Sequence, residues 1–157
     1  MPFLGYSADK ILLEEGQWYS FKVLNHIQLQ DELWYYILQD INELKHFIRA
    51  DCYKDYNFKI GIHIRCKIDR INCTGRIYLE PEHPFYKEGK AYEFDVIPEL
   101  CKPENEALIV KDIFGNSLKV CNNKNEYRER CNKNKVCCLV RCIRKGLPVL
   151  ELSPEYS

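Results

Sequence analysis

The chain has 157 residues, of which 46% are hydrophobic, 13% aromatic and 29% charged, so it holds ample apolar material for a packed core. No apolar run approaches the roughly 18 residues that a membrane-spanning helix needs, and we expect no membrane partner. The formal net charge is zero, but residues 1–44 carry −5, 45–76 carry +5, 77–118 carry −5 and 119–145 carry +7, so the neutral total does not exclude a nucleic-acid partner.

The start of the chain, residues 1–13, is expected to be a short N-terminal extension. Its first ten residues, MPFLGYSADK, lack the basic stretch followed by an apolar stretch that marks a secretory signal peptide. The sequence therefore predicts a cytoplasmic protein.

The next part of the chain contains five strand-like segments. Residues 18–24 and 62–68 alternate between apolar and polar side chains, which is the period-two pattern of a half-buried strand. Three further runs of strand-forming residues are 33–39, 46–50 and 76–80. Residues 51–57, between the third and fourth runs, are predicted to form a short helix or turn. This order is typical of the OB-fold, a five-stranded Greek-key barrel whose closure removes exposed edge strands.

The chain then repeats itself. Four residues of the first segment recur 73 positions later, with Gly16, Tyr19, Phe21 and Val23 matching Gly89, Tyr92, Phe94 and Val96. The match continues to the end of the chain at an offset of 72 or 73 residues. A period this long indicates two small domains rather than a solenoid. We therefore predict an all-β protein with two tandem OB-fold domains, at residues 14–86 and 87–157.

The nine cysteines are an odd number, which fits reduced thiols in the cytoplasm better than a disulfide framework. Cys66 and Cys138 fall within alternating apolar runs, and we expect them to act as small buried hydrophobic residues. The alternative is a zinc site built from Cys121, Cys131, Cys138 and Cys142, although their spacing is wider than that of most structural zinc sites. We predict no metal and no other cofactor.

Residues 59–79 resemble the last two strands of the S-one RNA-binding domain, the repeat of the largest small-subunit ribosomal protein. That family has a glycine, then alternating apolar residues, a polar turn and a Gly-Arg-Ile-x-Leu motif. The positions that follow this pattern are Gly61, Ile64, Cys66, Ile68, Ile71, Gly75, Arg76, Ile77 and Leu79. The resemblance implies an OB-fold and a single-stranded nucleic-acid ligand, with RNA favoured over DNA. The second repeat departs from the pattern, since it has Gly146-Leu147-Pro148 in place of the Gly-Arg pair.

The binding surface of such a domain combines aromatic rings, on which bases stack, with basic groups that meet phosphates. We place Tyr36 and Leu38 on the core face, because Leu108 and Val110 occupy the equivalent positions of the second repeat. By the same argument Ile48 faces the core, as Val120 does. This leaves a mixed aromatic and basic set pointing outwards. The predicted nucleic-acid-binding residues are Trp18, Lys22, Tyr35, Phe47, Arg49, Arg65, Lys67 and Arg76. The competing interpretation is that the rings belong to the barrel core and the basic residues form an ordinary solvated face.

The second repeat offers a poorer surface for nucleic acid. Its outward positions include Glu93 and Asp95, which would repel a phosphate chain at close range, and no stacking ring accompanies them. The basic stretch 119–145 could still attract a nucleic acid. The alternative function is therefore a protein–protein interaction or scaffold module, alone or as part of a larger protein.

An enzyme is not predicted. The sequence contains no G-x-S-x-G, no Gly-rich phosphate-binding loop, no H-E-x-x-H and no G-x-G-x-x-G. The four histidines are separated in sequence and lack the spacing of metal ligands. We expect no catalytic residues.

Overall fold

The computed structural model describes residues 10–101, 108–121 and 133–153. Over these ranges the chain is all-β, with two short 3₁₀ helices at Ala50–Tyr56 and Pro98–Leu100. The strands are β1 (Trp18–Gln28), β2 (Trp34–Gln39), β3 (Lys45–Arg49), β4 (His63–Ile71), β5 (Ile77–Pro81), β6 (Ala91–Val96), β7 (Leu108–Lys111), β8 (Ser117–Cys121), β9 (Lys135–Arg144) and β10 (Leu147–Leu152). The chain divides into two compact units between Glu82 and His83.

The five strands of the first unit lie where the sequence predicts them. Leu38 and Ile48 are buried, as expected from their match to the second repeat. The strand β1 continues beyond the predicted segment because a bulge between Val23 and Asn25 absorbs a break in the alternation. The helix that follows β3 confirms the short helix or turn expected at residues 51–57.

The two units share one strand order. In the first unit the hydrogen-bonded order is β3-β2-β1-β4-β5, and in the second the corresponding order is β8-β7-β6-β9-β10. All neighbours in these two series pair antiparallel. The second unit is a closed barrel because β10 also pairs parallel to β8, with Leu150 opposite Val120.

The first unit does not close in the same way. Its β3 and β5 are the two edges of a five-stranded sheet, although the sequence predicts a closed barrel here as well. The strand β3 ends at Arg49, and the chain turns at once into the 3₁₀ helix. The buried Tyr53 of that helix donates its hydroxyl to the buried Glu80 carboxylate of β5, and burial is the main reason that the pKa of Tyr53 is raised. A side-chain contact between this helix and β5 therefore stands where the second unit has the strand ladder that closes its barrel.

Several local contacts occur at equivalent positions of both units. Gly16 N–H donates to the Ile68 carbonyl and Gly89 N–H to the Val140 carbonyl, each at 2.8 Å. Both glycines have φ near +80°, a backbone conformation that residues with a Cβ rarely adopt. The turns between the second and third strands match as well. Asp40 Oδ1 accepts from Asn42 and Leu44 N–H, and Asp112 Oδ1 accepts from Phe114 and Asn116 N–H.

The cysteines predicted to be core residues are buried. Cys66 and Cys138 are both 0% exposed, each within the hydrophobic core of its own unit. Burial raises the pKa of the Cys66 thiol, so this group stays protonated and unreactive at neutral pH. Their role as small hydrophobic residues is thereby confirmed.

His83, at the start of the second unit, is a buried histidine that accepts two backbone hydrogen bonds. Phe85 N–H and Tyr86 N–H both donate to its Nδ1 at 3.0 Å, which requires that nitrogen to be unprotonated. Burial lowers the pKa of His83, and the Asp112 carboxylate opposes this effect without reversing it. The folded state therefore favours the neutral imidazole.

We expect the second unit to lose stability as the pH falls below about 6.5, the ordinary pKa of histidine in an unfolded chain. Because the folded pKa is the lower one, the unfolded state binds more protons in this range and protonation favours unfolding. His83→Asn keeps an oxygen acceptor without titrating and should flatten the dependence. Urea unfolding followed by far-UV circular dichroism at about pH 7.5 and about pH 5 measures it. An identical pH dependence in both proteins would contradict this role of His83.

Candidate nucleic-acid interface

The side of the first sheet that points away from its core, here called the outer face, brings together four of the predicted binding residues. The ladder between β1 and β4 pairs Trp18 with Lys67, Ser20 with Arg65, and Lys22 with His63. Between these positions, Phe21 and Cys66 point into the core and are fully buried. Since neighbouring residues of a strand point to opposite sides, Trp18, Lys22, Arg65 and Lys67 lie on the outer face.

Trp18 and Arg65 are in direct contact on this face. The Arg65 guanidinium carbon lies 5.4 Å from the centre of the Trp18 ring, within the range of a cation–π interaction. Arg65 Nη1 also lies 3.3 Å from Glu82 Oε2, but the side chains are 63% and 39% exposed, so this ion pair is weak. The indole and the guanidinium thus provide a flat surface beside a positive charge that a phosphate can still reach.

A second group on the outer face is formed by β2 and β3. The ladder places Tyr35 opposite Arg49 and Ile37 opposite Phe47. The rings of Tyr35 and Phe47, here called the aromatic pair, meet edge to face with their centres 6.4 Å apart. Phe47 is 50% exposed, so its ring remains open to a ligand rather than belonging to the core.

Carboxylates moderate the charge around the aromatic pair. The Tyr35 hydroxyl donates to Asp31 Oδ2 at 2.6 Å, which lowers the pKa of Asp31 and raises that of Tyr35. Arg49 donates to both oxygens of Asp51, at 3.1 and 2.6 Å, and this pair raises the pKa of Arg49. The Asp51 carboxylate therefore largely neutralises the positive charge of Arg49 at this end of the outer face.

Positive charge is left uncompensated in the middle of the outer face. The ladders align one residue from each of four strands in a row, here called the basic row. Its members are Lys45, Gln39, Lys22 and His63. Within the part of the chain that the structure describes, neither Lys22 nor Lys45 forms an ion pair, and both are exposed. The row is where a phosphate chain would meet the least repulsion.

The three predicted stacking rings do not meet at one point. Tyr35 lies opposite Ile27 of β1, nine positions along that strand from Trp18. At a rise of about 3.3 Å per residue, the path along β1 between them is about 30 Å. Trp18 and the aromatic pair therefore lie at opposite ends of the outer face, with the basic row between them.

Arg76 lies apart from the other seven predicted residues. It ends the turn between β4 and β5, and its guanidinium carbon is 5.0 Å from the ring centre of Tyr78. Arg70, which the sequence reasoning missed, lies 4.5 Å from the same ring. The signal in the sequence that could have indicated this contact is the spacing of Arg76 and Tyr78, two residues apart at the start of β5.

Sequence reasoning also missed an aromatic row at the far end of β1 and β2. His26 stacks on Tyr36 at 4.6 Å between ring centres, and its ring lies 4.8 Å from that of Trp34. Tyr36 is half-buried and also meets Phe58 edge to face. Tyr36 packs against the core, as expected from the sequence. The exposed His26 ring covers the other side of the Tyr36 ring.

The outward side chains of the second unit carry charges of both signs. Glu93 and Asp95 of β6 are exposed, as are Lys111 and Lys119. Arg141, from the basic stretch 119–145, pairs with Glu151 at 3.4 Å. Other basic residues of this stretch, Lys124, Arg128 and Arg130, lie outside the described residues.

The alternative zinc site receives no support from the residues that can be placed. Cys138 points into the barrel core, whereas Cys131 lies outside the described residues. Among residues 10–101, 108–121 and 133–153, no group of three or more histidine, cysteine or acidic side chains is arranged to hold a metal ion. The same ranges contain no helix that is long and apolar enough to cross a membrane.

Comparison with known proteins gives no match to a protein-family model, to a curated protein or to a solved structure.

Proposed function

We propose that the chain is a non-catalytic protein or module that binds single-stranded nucleic acid, with RNA favoured over DNA, on the outer face of its first unit. The observation that carries the proposal is the strand register, which aligns partly exposed rings and basic side chains on one side of a sheet. Rings on which bases stack, interleaved with cations, are what sequence-tolerant single-strand binding requires.

The arrangement of the outer face suggests the path of the bound strand. Bases would stack at Trp18 at one end and on the aromatic pair at the other, while phosphates cross the basic row. The path of about 30 Å accommodates several nucleotides, which suits the site sizes of about 4–16 nucleotides known for OB-folds. Lys22 is central to this path, because it is exposed and belongs to both ladders of β1.

Support for an OB-fold comes from the connectivity and from one turn. The shared strand order and the parallel β8–β10 pair are what a five-stranded Greek-key barrel would have. The Gly75-Arg76 pair of the S-one resemblance lies at the turn between β4 and β5, where Gly75 has φ of +85°. Asn72 Oδ1 accepts from Arg76 N–H at 2.8 Å and stabilises that turn. The preference for RNA rests on this resemblance.

Fluorescence anisotropy with labelled RNA and DNA of about 15–20 nucleotides tests the proposal. We expect micromolar or tighter binding that weakens by about tenfold between roughly 50 and 200 mM salt, as counterion release for two or three phosphate contacts requires. Tighter binding of RNA than of DNA would support the resemblance. If neither the RNA nor the DNA bound at low salt, the proposed function would be refuted.

A protein-interaction module is the second candidate, and one observation favours it. Glu93 and Asp95 are exposed on β6 of the second unit, where they disfavour a phosphate chain and suit a basic protein surface. Size-exclusion chromatography with light scattering, combined with a nuclease-treated pull-down, separates the two candidates. A monomer that retains no protein after nuclease treatment would count against this second function.

A further inference from the structure

Two arginines share one tyrosine ring at the end of β4 and β5. The guanidinium carbons of Arg70 and Arg76 lie 4.5 and 5.0 Å from the ring centre of Tyr78, so they are at most about 10 Å from each other. Arg70 reaches the ring from β4, where it lies directly opposite Tyr78, and Arg76 lies two residues before Tyr78. Both arginines are exposed. The ring thus holds two like charges close together at the surface.

No described carboxylate forms an ion pair with these two arginines. The Glu15 carboxylate is engaged by the backbone next to Arg70, because its Oε1 accepts from Ile71 N–H at 2.7 Å. An anion that contacts both guanidinium groups would gain charge-assisted hydrogen bonds from each of them.

The position of the arginine pair connects it to the outer face. Along β4, Arg70 follows Lys67 by three residues, which is a path of about 10 Å. A nucleic acid that crossed the basic row and continued past Lys67 would reach the arginine pair at the margin of the sheet. The pair is therefore suited to the end of a bound strand rather than to its middle.

We propose that Arg70 and Arg76, held by Tyr78, bind the terminal phosphomonoester of a single-stranded nucleic acid. The inference rests on the proposed function. A terminal phosphomonoester carries about −1.5 to −2 charges at neutral pH, whereas each internal phosphodiester carries one. Two guanidinium forks match the dianion in charge and can each donate two hydrogen bonds to its oxygens. Tyr78 keeps both forks near the required position.

Competition binding tests the proposal with unlabelled oligouridylates of about 16 nucleotides that end in a 5′-phosphate, a 3′-phosphate or hydroxyl groups at both ends. For the natural chain, one of the two phosphate-ended RNAs should compete about tenfold better than the hydroxyl-ended RNA. In the double variant Arg70→Gln/Arg76→Gln, this ratio should fall to about one, because neutral amides lack the charge. Arg144→Gln removes an exposed arginine from the second unit and should keep the ratio.

The outcomes separate this proposal from the proposed function. Salt-sensitive binding of all three RNAs with equal affinity would overturn the phosphomonoester site and leave the proposed function standing. Lack of binding by every RNA would refute the proposed function itself. Uridine monophosphate serves as the competitor for a free nucleotide, and if it competed as well as the phosphate-ended RNA, the assignment to a strand end would be wrong.

Discussion

Replacing Tyr35 and Phe47 together with alanine is expected to weaken the binding of single-stranded RNA by about 2–6 kcal/mol, since each lost base stack costs about 1–3 kcal/mol. The two rings contact each other edge to face and lie on the outer face of the first sheet. Phe47 is half-exposed, so its removal takes away a ligand contact more than core packing. Fluorescence anisotropy at low salt measures the change in affinity.

Phe85→Ala is the matched control for this double variant. Phe85 is 47% exposed, like Phe47, but it belongs to the second unit, where we place no stacking ring. Its replacement should leave the affinity within about twofold, as expected for a surface substitution away from the ligand. Unchanged binding by the Tyr35/Phe47 variant, with an intact circular dichroism spectrum, would show that the aromatic pair is not the ligand surface.

Phe21→Ala should lower the free energy of unfolding of the first unit by about 3–5 kcal/mol. Phe21 is 0% exposed and lies in the core of that unit, where an alanine leaves a cavity that the strands cannot fill. A loss of this size is comparable to the whole stability of a small domain. The chain contains two tryptophans, Trp18 and Trp34, and both lie in the first unit, so urea unfolding followed by tryptophan fluorescence reports on it.

Two comparisons make this measurement specific. Phe21→Leu keeps most of the buried volume and should cost less than half as much as the alanine variant, at about 1–1.5 kcal/mol. Phe47→Ala removes a ring of the same size from the surface and should cost the least. Equal destabilisation by Phe21→Ala and Phe47→Ala would contradict the assignment of Phe21 to the core and Phe47 to the outer face.

Which side of each strand faces the core could be predicted from the sequence because the signal is local. The match to the second repeat assigned Leu38 and Ile48 to the core, where both are buried, and alternation along each strand then gave the outward positions. The same reasoning placed Phe47 and Arg49 outside, where the structure has them exposed. Whether these outward residues bind nucleic acid stays a prediction.

Bulges account for much of what the sequence could not reveal. Continuing the alternation from Cys66 and Ile68 would turn Arg70 towards the core, but a shift in pairing between Ile68 and Arg70 reverses it and places Arg70 opposite Tyr78. The bulge after Val23 likewise turns His26 towards Tyr36. An inserted residue leaves no mark in a period-two pattern other than a break, which can equally be read as the end of the strand.

Long-range geometry was the other missing information. The distance between Trp18 and the aromatic pair depends on how β1 and β2 are aligned, which alternation within one strand does not determine. Whether a unit closes into a barrel likewise depends on whether its third strand pairs with its fifth. In the first unit, the turn into the 3₁₀ helix directly after Arg49 and the contact between Tyr53 and Glu80 take the place of that ladder.

The open edges of the first sheet have a consequence for how the chain behaves at high concentration. The edge strand β3 carries Lys45 and Arg49 on its outer side, and charged residues at an edge discourage a further strand from joining. Just beyond β5, the Glu82 N–H donates to the Arg65 carbonyl of β4. Successive N–H groups of a strand point to opposite sides, so the N–H of the preceding position would point to the free edge, and this position is occupied by Pro81. Proline has no N–H to offer there. Both margins of the unclosed sheet thus resist the edge-to-edge aggregation to which open β-sheets are prone.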